Sequence, residues 1–169
     1  MKSSLSTLLL IVIISSSLAQ DREAFNNILE SYSMTFNMPT GFSETATKEN
    51  DDLYYYYAIK HDSLNIEIRY TFFFIQDELA RELDSGEIAA NPNKMYISLT
   101  SVNQLNLSGG NEYQVTRFNP EAVQEEFGAD DGGTTFFPLN SGFGEGYQYC
   151  VMNILHKRRR SRCLYSHSF

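Results

Sequence analysis

The sequence predicts a single α+β domain in which an antiparallel β-sheet is flanked by helices on both faces. Residues 20–32 carry apolar side chains at the spacing of an amphipathic helix. The first part of 64–74 (LNIEIRYTFFF) alternates apolar and polar side chains, which is typical of a half-buried strand. Residues 147–155 (YQYCVMNIL) are apolar on both faces and are typical of a central, covered strand.

The first 19 residues have the features of a secretory signal peptide. Lys2 supplies the positive charge, residues 8–14 are an unbroken apolar run, and residues 17–19 (SLA) suit a cleavage site. The apolar run is shorter than the ~20 residues that span a bilayer. The sequence therefore predicts export to the periplasm, the cell surface or the medium, with a mature chain that begins at Gln20.

The charge of the chain limits its partners. The 169 residues carry a net charge of −8, which becomes −9 when Lys2 leaves with the leader. General nucleic-acid binding depends on Lys and Arg that displace counterions, so no nucleic-acid partner is predicted. Residues 20–169 are enough for one domain with an ordinary core. No cofactor is predicted, and the partner is an unidentified protein or small molecule.

In the first half of the mature chain, the helix of residues 20–32 precedes a hairpin. Residues 33–36 are predicted as a short strand, and Met38-Pro39-Thr40-Gly41 is a turn signal. Residues 53–60 (LYYYYAIK) and 64–74 form the hairpin, because the polar break at 61–63 separates two strand-like runs.

The middle of the chain predicts further helices. Residues 76–83 form a short helix candidate that Gly86 can stop. Residues 95–107 have features of both a helix and a strand. Their apolar positions match the 3.6-residue repeat of a helix better than the two-residue repeat of a strand, so a helix is predicted. Residues 112–118 are a short strand or an extended link.

The densest local signals lie between residues 118 and 157. Asn119 and Pro120 predict the start of a helix and Gly128 its end, so the helix covers 120–127. Residues 129–133 (ADDGG) are predicted as a loop, followed by a short strand at 134–137. Residues 140–146 are turn-rich, and the strand of 147–155 follows.

The chain end is predicted to return as an antiparallel strand at 162–166, after a turn at 158–161. This register places His156 opposite Cys163, with Cys150 far along the ribbon. The two cysteines are therefore predicted to be free, buried thiols rather than a disulfide. No metal site is predicted, because paired Cys spacing is lacking.

Several residues are candidates for ligand binding, each with a simpler structural alternative. Asp130 and Asp131 are carboxylates next to two glycines, but they lack the alternating ligands of a calcium loop. Tyr55 and Tyr57 belong to an aromatic run that either binds sugars or a partner from an outer face, or is buried under helices. His156 is also a candidate for ligand binding, and its simpler alternative is a residue at the end of a strand beside the basic residues that follow.

The strongest charge asymmetry is a basic tip. It comprises Lys157, Arg158, Arg159, Arg160 and Arg162. Such a cluster either binds anions or lipid headgroups, or is a solvated hairpin tip that discourages edge pairing.

The order of elements resembles that of small exported bacterial proteins of unassigned function. The turn at Met38-Pro39-Thr40-Gly41-Phe42 and the hairpin after it are also similar to PsbP-like proteins. This resemblance implies an antiparallel sheet with helices on both faces. The role of that family in photosynthetic oxygen evolution is not carried over, because no site motif matches and a fold does not determine function.

Three functional hypotheses follow. The first is an exported, non-enzymatic binding or accessory domain, for which no catalytic residue is predicted. The second is a hydrolase or thiol enzyme that uses His156 with Cys150 or Cys163. The third is a membrane-peripheral protein that docks through the basic tip from Lys157 to Arg162.

Overall fold

The computed structural model describes residues 21–47, 53–74, 92–144 and 146–157. These residues form helices and two three-stranded antiparallel sheets, which confirms the α+β class. The chain divides into two compact units, Met1–Phe73 and Phe74–Phe169. The predicted antiparallel pairing is confirmed, and among the described residues the strands are divided between two small sheets, one in each unit.

The elements are labelled in chain order. The first unit contains α1 (residues 21–31), β1 (Phe42–Thr45), β2 (Tyr57–His61) and β3 (Glu67–Tyr70). The second unit contains α2 (Pro92–Ser108), β4 (Thr116–Arg117), α3 (Pro120–Phe127), β5 (Asp131–Pro138), α4 (Ser141–Gly144) and β6 (Tyr149–His156). The predicted leader, the helix predicted at 76–83 and the strand predicted at 162–166 lie outside the described residues.

The sheet of the first unit has the order β1-β2-β3, and the predicted hairpin of β2 and β3 is confirmed. Both strands are shorter than predicted. The strand predicted at 33–36 is wrong. Ser33 has a positive φ of 53°, and the backbone N–H of Met34 donates to the carbonyl of Leu29, so this segment closes the end of α1 instead.

An aromatic cluster forms the core of the first unit. Phe25 of α1 stacks on Tyr57 of β2, with ring centroids 4.3 Å apart, and Phe36 meets Phe25 edge to face. Ile59 beside Tyr57 is fully buried. The face of α1 that periodicity predicts as apolar is thus the face that packs on the sheet.

One turn leads into β1, and a second turn connects β2 to β3. The N–H of Phe42 donates to the carbonyl of Pro39, and Gly41 has a φ of +81°, so the predicted turn is confirmed. After β2, the Nδ1 atom of His61 accepts hydrogen bonds from the backbone N–H groups of Ser63 and Leu64, each at 3.1 Å. The imidazole therefore holds the polar break in a tight turn.

The second unit has the strand order β4-β5-β6, with α2 confirmed as a helix. The predicted bounds of α3 are also confirmed. The side chain of Asn119 accepts from the N–H groups of Glu121 and Ala122, and Gly128 adopts the left-handed conformation at the other end. These local caps determine where the helix begins and ends, and the buried side chain of Val123 anchors it by packing.

The loop predicted at 129–133 is wrong in its second half, because Asp131, Gly132 and Gly133 belong to β5. The glycines serve close packing rather than a turn. A Cβ atom on Gly132 would lie 2.9 Å from the carbonyl oxygen of Ile154, and one on Gly133 would lie 3.0 Å from that of Thr116. Only glycine lets the neighbouring strands approach β5 this closely.

The prediction that both faces of β6 are covered is wrong, whereas its predicted partner strand at 162–166 lies outside the described residues. In the described residues, β5 is the central strand and β6 pairs with β5 alone. Side chains of β6 alternate between exposed and half-buried, so one face of this apolar strand is open instead of covered. The turn-rich segment predicted at 140–146 contains the single-turn helix α4.

We predict that Gly132→Ala lowers the free energy of unfolding by about 1–3 kcal/mol, because the added methyl group meets backbone rather than a flexible side chain. Urea unfolding followed by circular dichroism measures the change. Gly142→Ala is the matched control, since its Cβ atom would meet only the Asn140 side chain at 4.0 Å. Equal effects of the two substitutions would contradict this account of β5.

Candidate functional site

The sheet of the second unit has two faces of different character. Its inner face consists of Asp131, Gly133, Thr135 and Phe137 of β5 and Cys150, Met152, Ile154 and His156 of β6. Helix α2 packs on this face, where the side-chain amide of Gln104 donates to the hydroxyl of Thr135 at 2.9 Å. Gln104 also bonds the backbone of Tyr113, so a buried polar side chain fixes the helix and the following segment.

Four side chains meet at one end of the inner face, and we call them the Asp131 cluster. They are Asp131, Tyr96, Arg117 and His156. The carboxylate of Asp131 accepts hydrogen bonds from the hydroxyl of Tyr96 and from Nη2 of Arg117. His156 lies opposite Asp131 in the strand register, and its ring stacks on Tyr96 with centroids 4.3 Å apart.

The electrostatics of this cluster keep Asp131 ionised. Burial by itself would raise the pKa of Asp131. The hydrogen bonds from Tyr96, Arg117 and the backbone N–H of Gly132, together with the charge of Arg117, outweigh burial, so the pKa lies below its usual value. Burial and the bond to Asp131 raise the pKa of Tyr96 in turn.

The Asp131 cluster brings together two of the predicted ligand-binding candidates, Asp131 and His156. Both carboxylate oxygens of Asp131 already accept hydrogen bonds, Oδ2 from two side chains and Oδ1 from the N–H of Gly132 at 2.9 Å. This arrangement joins α2, β4 and β5. The cluster therefore acts first as a connection between elements, and its exposed member is Arg117.

The neighbouring candidate Asp130 is half-buried, and its backbone N–H donates to the carbonyl of His156 at 2.8 Å. This bond extends the pairing of β5 and β6 by one residue. Among the described residues, no three His, Cys, Asp or Glu side chains are grouped so that they could hold a metal ion.

The thiol candidate Cys150 is far from His156 along the strand. Cys150 is a half-buried cysteine that faces Phe137 in the register of β5 and β6. It lies six residues from His156 on the same strand, which is about 20 Å at the rise of an extended chain. The two side chains therefore do not form a nucleophile–base pair within β6, and Cys163 lies outside the described residues.

The two tyrosine candidates are buried in the first unit. Tyr57 is 3% exposed and donates its hydroxyl proton to Oε1 of Glu44 at 2.9 Å. Tyr55 is 9% exposed, and the guanidinium of Arg69 lies 5.2 Å from the centre of its ring. Both rings contribute to packing, whereas their neighbour Tyr54 is exposed.

The basic tip begins where β6 ends. Lys157 is exposed at its start, while Arg158, Arg159, Arg160 and Arg162 lie outside the described residues. Among the helices described here, none combines the length and the apolar character needed to cross a membrane.

The outer face of the second sheet is the surface that the sequence did not indicate. It consists of Thr134, Phe136 and Pro138 of β5 and Tyr149, Val151, Asn153 and Leu155 of β6. Phe136 and Tyr149 are each 59% exposed and Val151 is 62% exposed. The rings of Phe136 and Tyr149 lie nearly parallel, with centroids 5.4 Å apart.

Periodicity alone did not find this face, because a strand that is apolar on both sides is usually covered on both sides. The alternation in β6 could only suggest which residues share a face. Which of the two faces α2 covers depends on contacts made by Tyr96 and Gln104, more than 25 residues earlier in the chain.

No protein-family model matches the chain, and no curated protein or solved structure is significantly similar to it.

We predict that Asp131→Asn destabilises the protein by about 1–3 kcal/mol near neutral pH, because it removes a charge that accepts bonds from Tyr96 and Arg117. The pKa of Asp131 is lowered by folding, so its stabilising effect is present above the pKa of an unfolded carboxyl group. That effect is lost as the pH falls through the folded pKa.

Urea unfolding at a series of pH values measures this difference. The wild type and Asp131→Asn are expected to converge in acid. Glu126→Gln, at an exposed carboxylate of α3, is the control and leaves the acid limb of the stability curve unchanged. A constant difference at every pH would contradict the role given to the Asp131 charge.

Proposed function

We propose that the chain is an exported, non-enzymatic binding or accessory domain, and that it binds a protein partner through the outer face of its second sheet. The observation that carries the proposal is the exposure of Phe136, Tyr149 and Val151 side by side on that face. Soluble proteins rarely expose contiguous apolar side chains, and such patches commonly mark interaction sites.

The chemistry of the outer face supports a protein partner. Aromatic rings are enriched at interfaces, because they bring a large apolar area at a low cost in side-chain entropy. Thr134 and Asn153 face each other across β5 and β6 beside Phe136 and Val151, and they supply hydrogen-bonding groups at the same surface. A mixture of this kind is typical of non-obligate interfaces.

The chemistry of the inner face supports a structural role there. Both oxygens of Asp131 accept bonds from the protein itself, and Cys150 lies about 20 Å from His156 at the rise of a strand. This geometry favours the binding hypothesis over a thiol enzyme built from those two residues.

We predict that a benzophenone photo-crosslinking residue in place of Phe136 gives a covalent adduct in the cells that naturally make the protein. Phe136 is exposed and central to the proposed surface, so a bound partner would lie within reach of the probe. Gel mobility and mass spectrometry of the purified adduct identify what is attached.

The matched control carries the same probe in place of Val102, a residue of α2 that is also about half exposed. Adducts at position 136 and none at 102 support the outer face. If position 136 gives no adduct, or both positions give the same products, the proposed surface is wrong.

Export has a test of its own. We predict that the full chain, expressed in a bacterium with a secretory pathway, yields a mature protein whose amino terminus is Gln20, because residues 17–19 suit a cleavage site. The intact mass and tandem mass spectrometry of the amino-terminal peptide measure this, with Gln20 read either as glutamine or as its cyclised pyroglutamate form. Replacement of Leu9 and Leu10 by Arg would interrupt the apolar run and is expected to retain the chain in the cytoplasm. Recovery of an uncleaved chain from the cytoplasm of wild-type cells would contradict export.

A further inference from the structure

We infer that the partner of the outer face is a second copy of this chain, so that two second-unit sheets pack face to face across a twofold axis. The inference rests on the proposed function, because it names the partner of the same surface. Three features of the outer face support it. They are the absence of charged side chains, the fit to the twofold symmetry of a dimer, and the way in which two sheets pack.

The first feature is the absence of charge on the outer face. The side chains on the outer face from Thr134 to Pro138 and from Tyr149 to Leu155 include no Asp, Glu, Lys or Arg. A partner of opposite charge would be recognised by charged side chains, because electrostatic complementarity gives specificity and speeds association. An uncharged face selects neither a basic nor an acidic partner.

The second feature is that the outer face can meet a copy of itself without placing like charges together. In a twofold dimer each residue meets the same patch on its partner, so any charge near the axis faces a like charge. The mature chain carries a net charge of −9, so two copies repel each other, and an uncharged contact surface adds nothing to that repulsion. The outer face meets this requirement around the cross-strand pair of Phe136 and Val151.

The third feature is that the outer face is suited to packing against a second sheet. Two sheets that pack face to face lie about 10 Å apart and interdigitate the side chains of their facing surfaces. The inner face is already covered by α2, which contacts it through Tyr96 and Gln104. The outer face carries the exposed apolar side chains Phe136, Tyr149 and Val151, so a second sheet would complete a sandwich around them.

The test uses the mature protein, purified after export and removal of the leader. Sedimentation equilibrium over a range of concentrations is expected to give twice the mass of the chain. Phe136→Glu and Val151→Glu each bury an unpaired carboxylate in both copies at the interface and are expected to weaken association by about a hundredfold or more. Tyr149→Ser removes a ring without adding charge and is expected to weaken it by about tenfold.

Val102→Glu is the matched control, because it adds the same charge at an exposed residue of α2. It should leave the dimer unchanged. Circular dichroism and urea unfolding establish that each variant is folded. Substituted side chains on an exposed face have small effects on folding, and two independent Glu variants guard against a failure of either.

The outcomes separate this inference from the proposed function. A wild-type protein that stays monomeric at every concentration overturns the inference, as does a dimer that neither Glu variant weakens. If the protein is monomeric and the probe at position 136 attaches to another protein, the inference is wrong and the proposed function stands. Adducts to lipid or polysaccharide would overturn both.

Discussion

The close approach of three strands at Gly132 and Gly133 is the constraint on which the second unit depends. The carbonyl oxygens of Ile154 and Thr116 lie 2.9 Å and 3.0 Å from the positions that Cβ atoms on Gly132 and Gly133 would take. This contact brings β4 and β6 to either side of β5 and sets the register that pairs Asp131 with His156. Because side chains alternate along a strand, one register decides the face of every later residue in β5 and β6.

The register places Asp131 on the face that α2 covers. There its carboxylate connects Tyr96 of α2 with Arg117 of β4 and with its own neighbour Gly132. Gln104, which follows Tyr96 further along α2, makes a second polar connection by donating to the hydroxyl of Thr135. Buried polar groups of this kind are stable only when every bond is made, so they fix the orientation of α2 more strictly than apolar contacts do.

The same alternation turns Phe136, Tyr149 and Val151 away from α2. An apolar, uncharged sheet face that is open to solvent has a free-energy cost, because its apolar side chains are in contact with water. A partner that buried these side chains would remove that cost. The proposals on binding and self-association follow from that cost and from the chemistry of the side chains at the surface, whereas the proposal of export rests on residues 1–19. The first unit differs in this respect, since its tyrosines Tyr55 and Tyr57 are enclosed in its own packing.

Local signals in the sequence determined α1, α2, α3 and the hairpin of β2 and β3. The ends of helix α3 are set by the side chain of Asn119 and the positive φ of Gly128, and both act within a few residues. The turn at Gly41 is local in the same sense. Among the site candidates, Asp131 and His156 were found because their residue types bear chemistry, although their meeting was not predicted.

Tertiary structure decided the rest. The run of Asp131, Gly132 and Gly133 has the composition of a loop, and it becomes a strand because two neighbouring backbones need the space that glycine leaves. The open face of β6 depends on which side α2 covers, and that choice is made by Tyr96 and Gln104 at distant positions in the chain. Local signals thus determined α1, α2, α3 and the hairpin of β2 and β3, since propensity and capping act over a few residues. Only long-range contacts determined how strands are ordered and which apolar residues remain exposed, because they join residues that local patterns cannot relate.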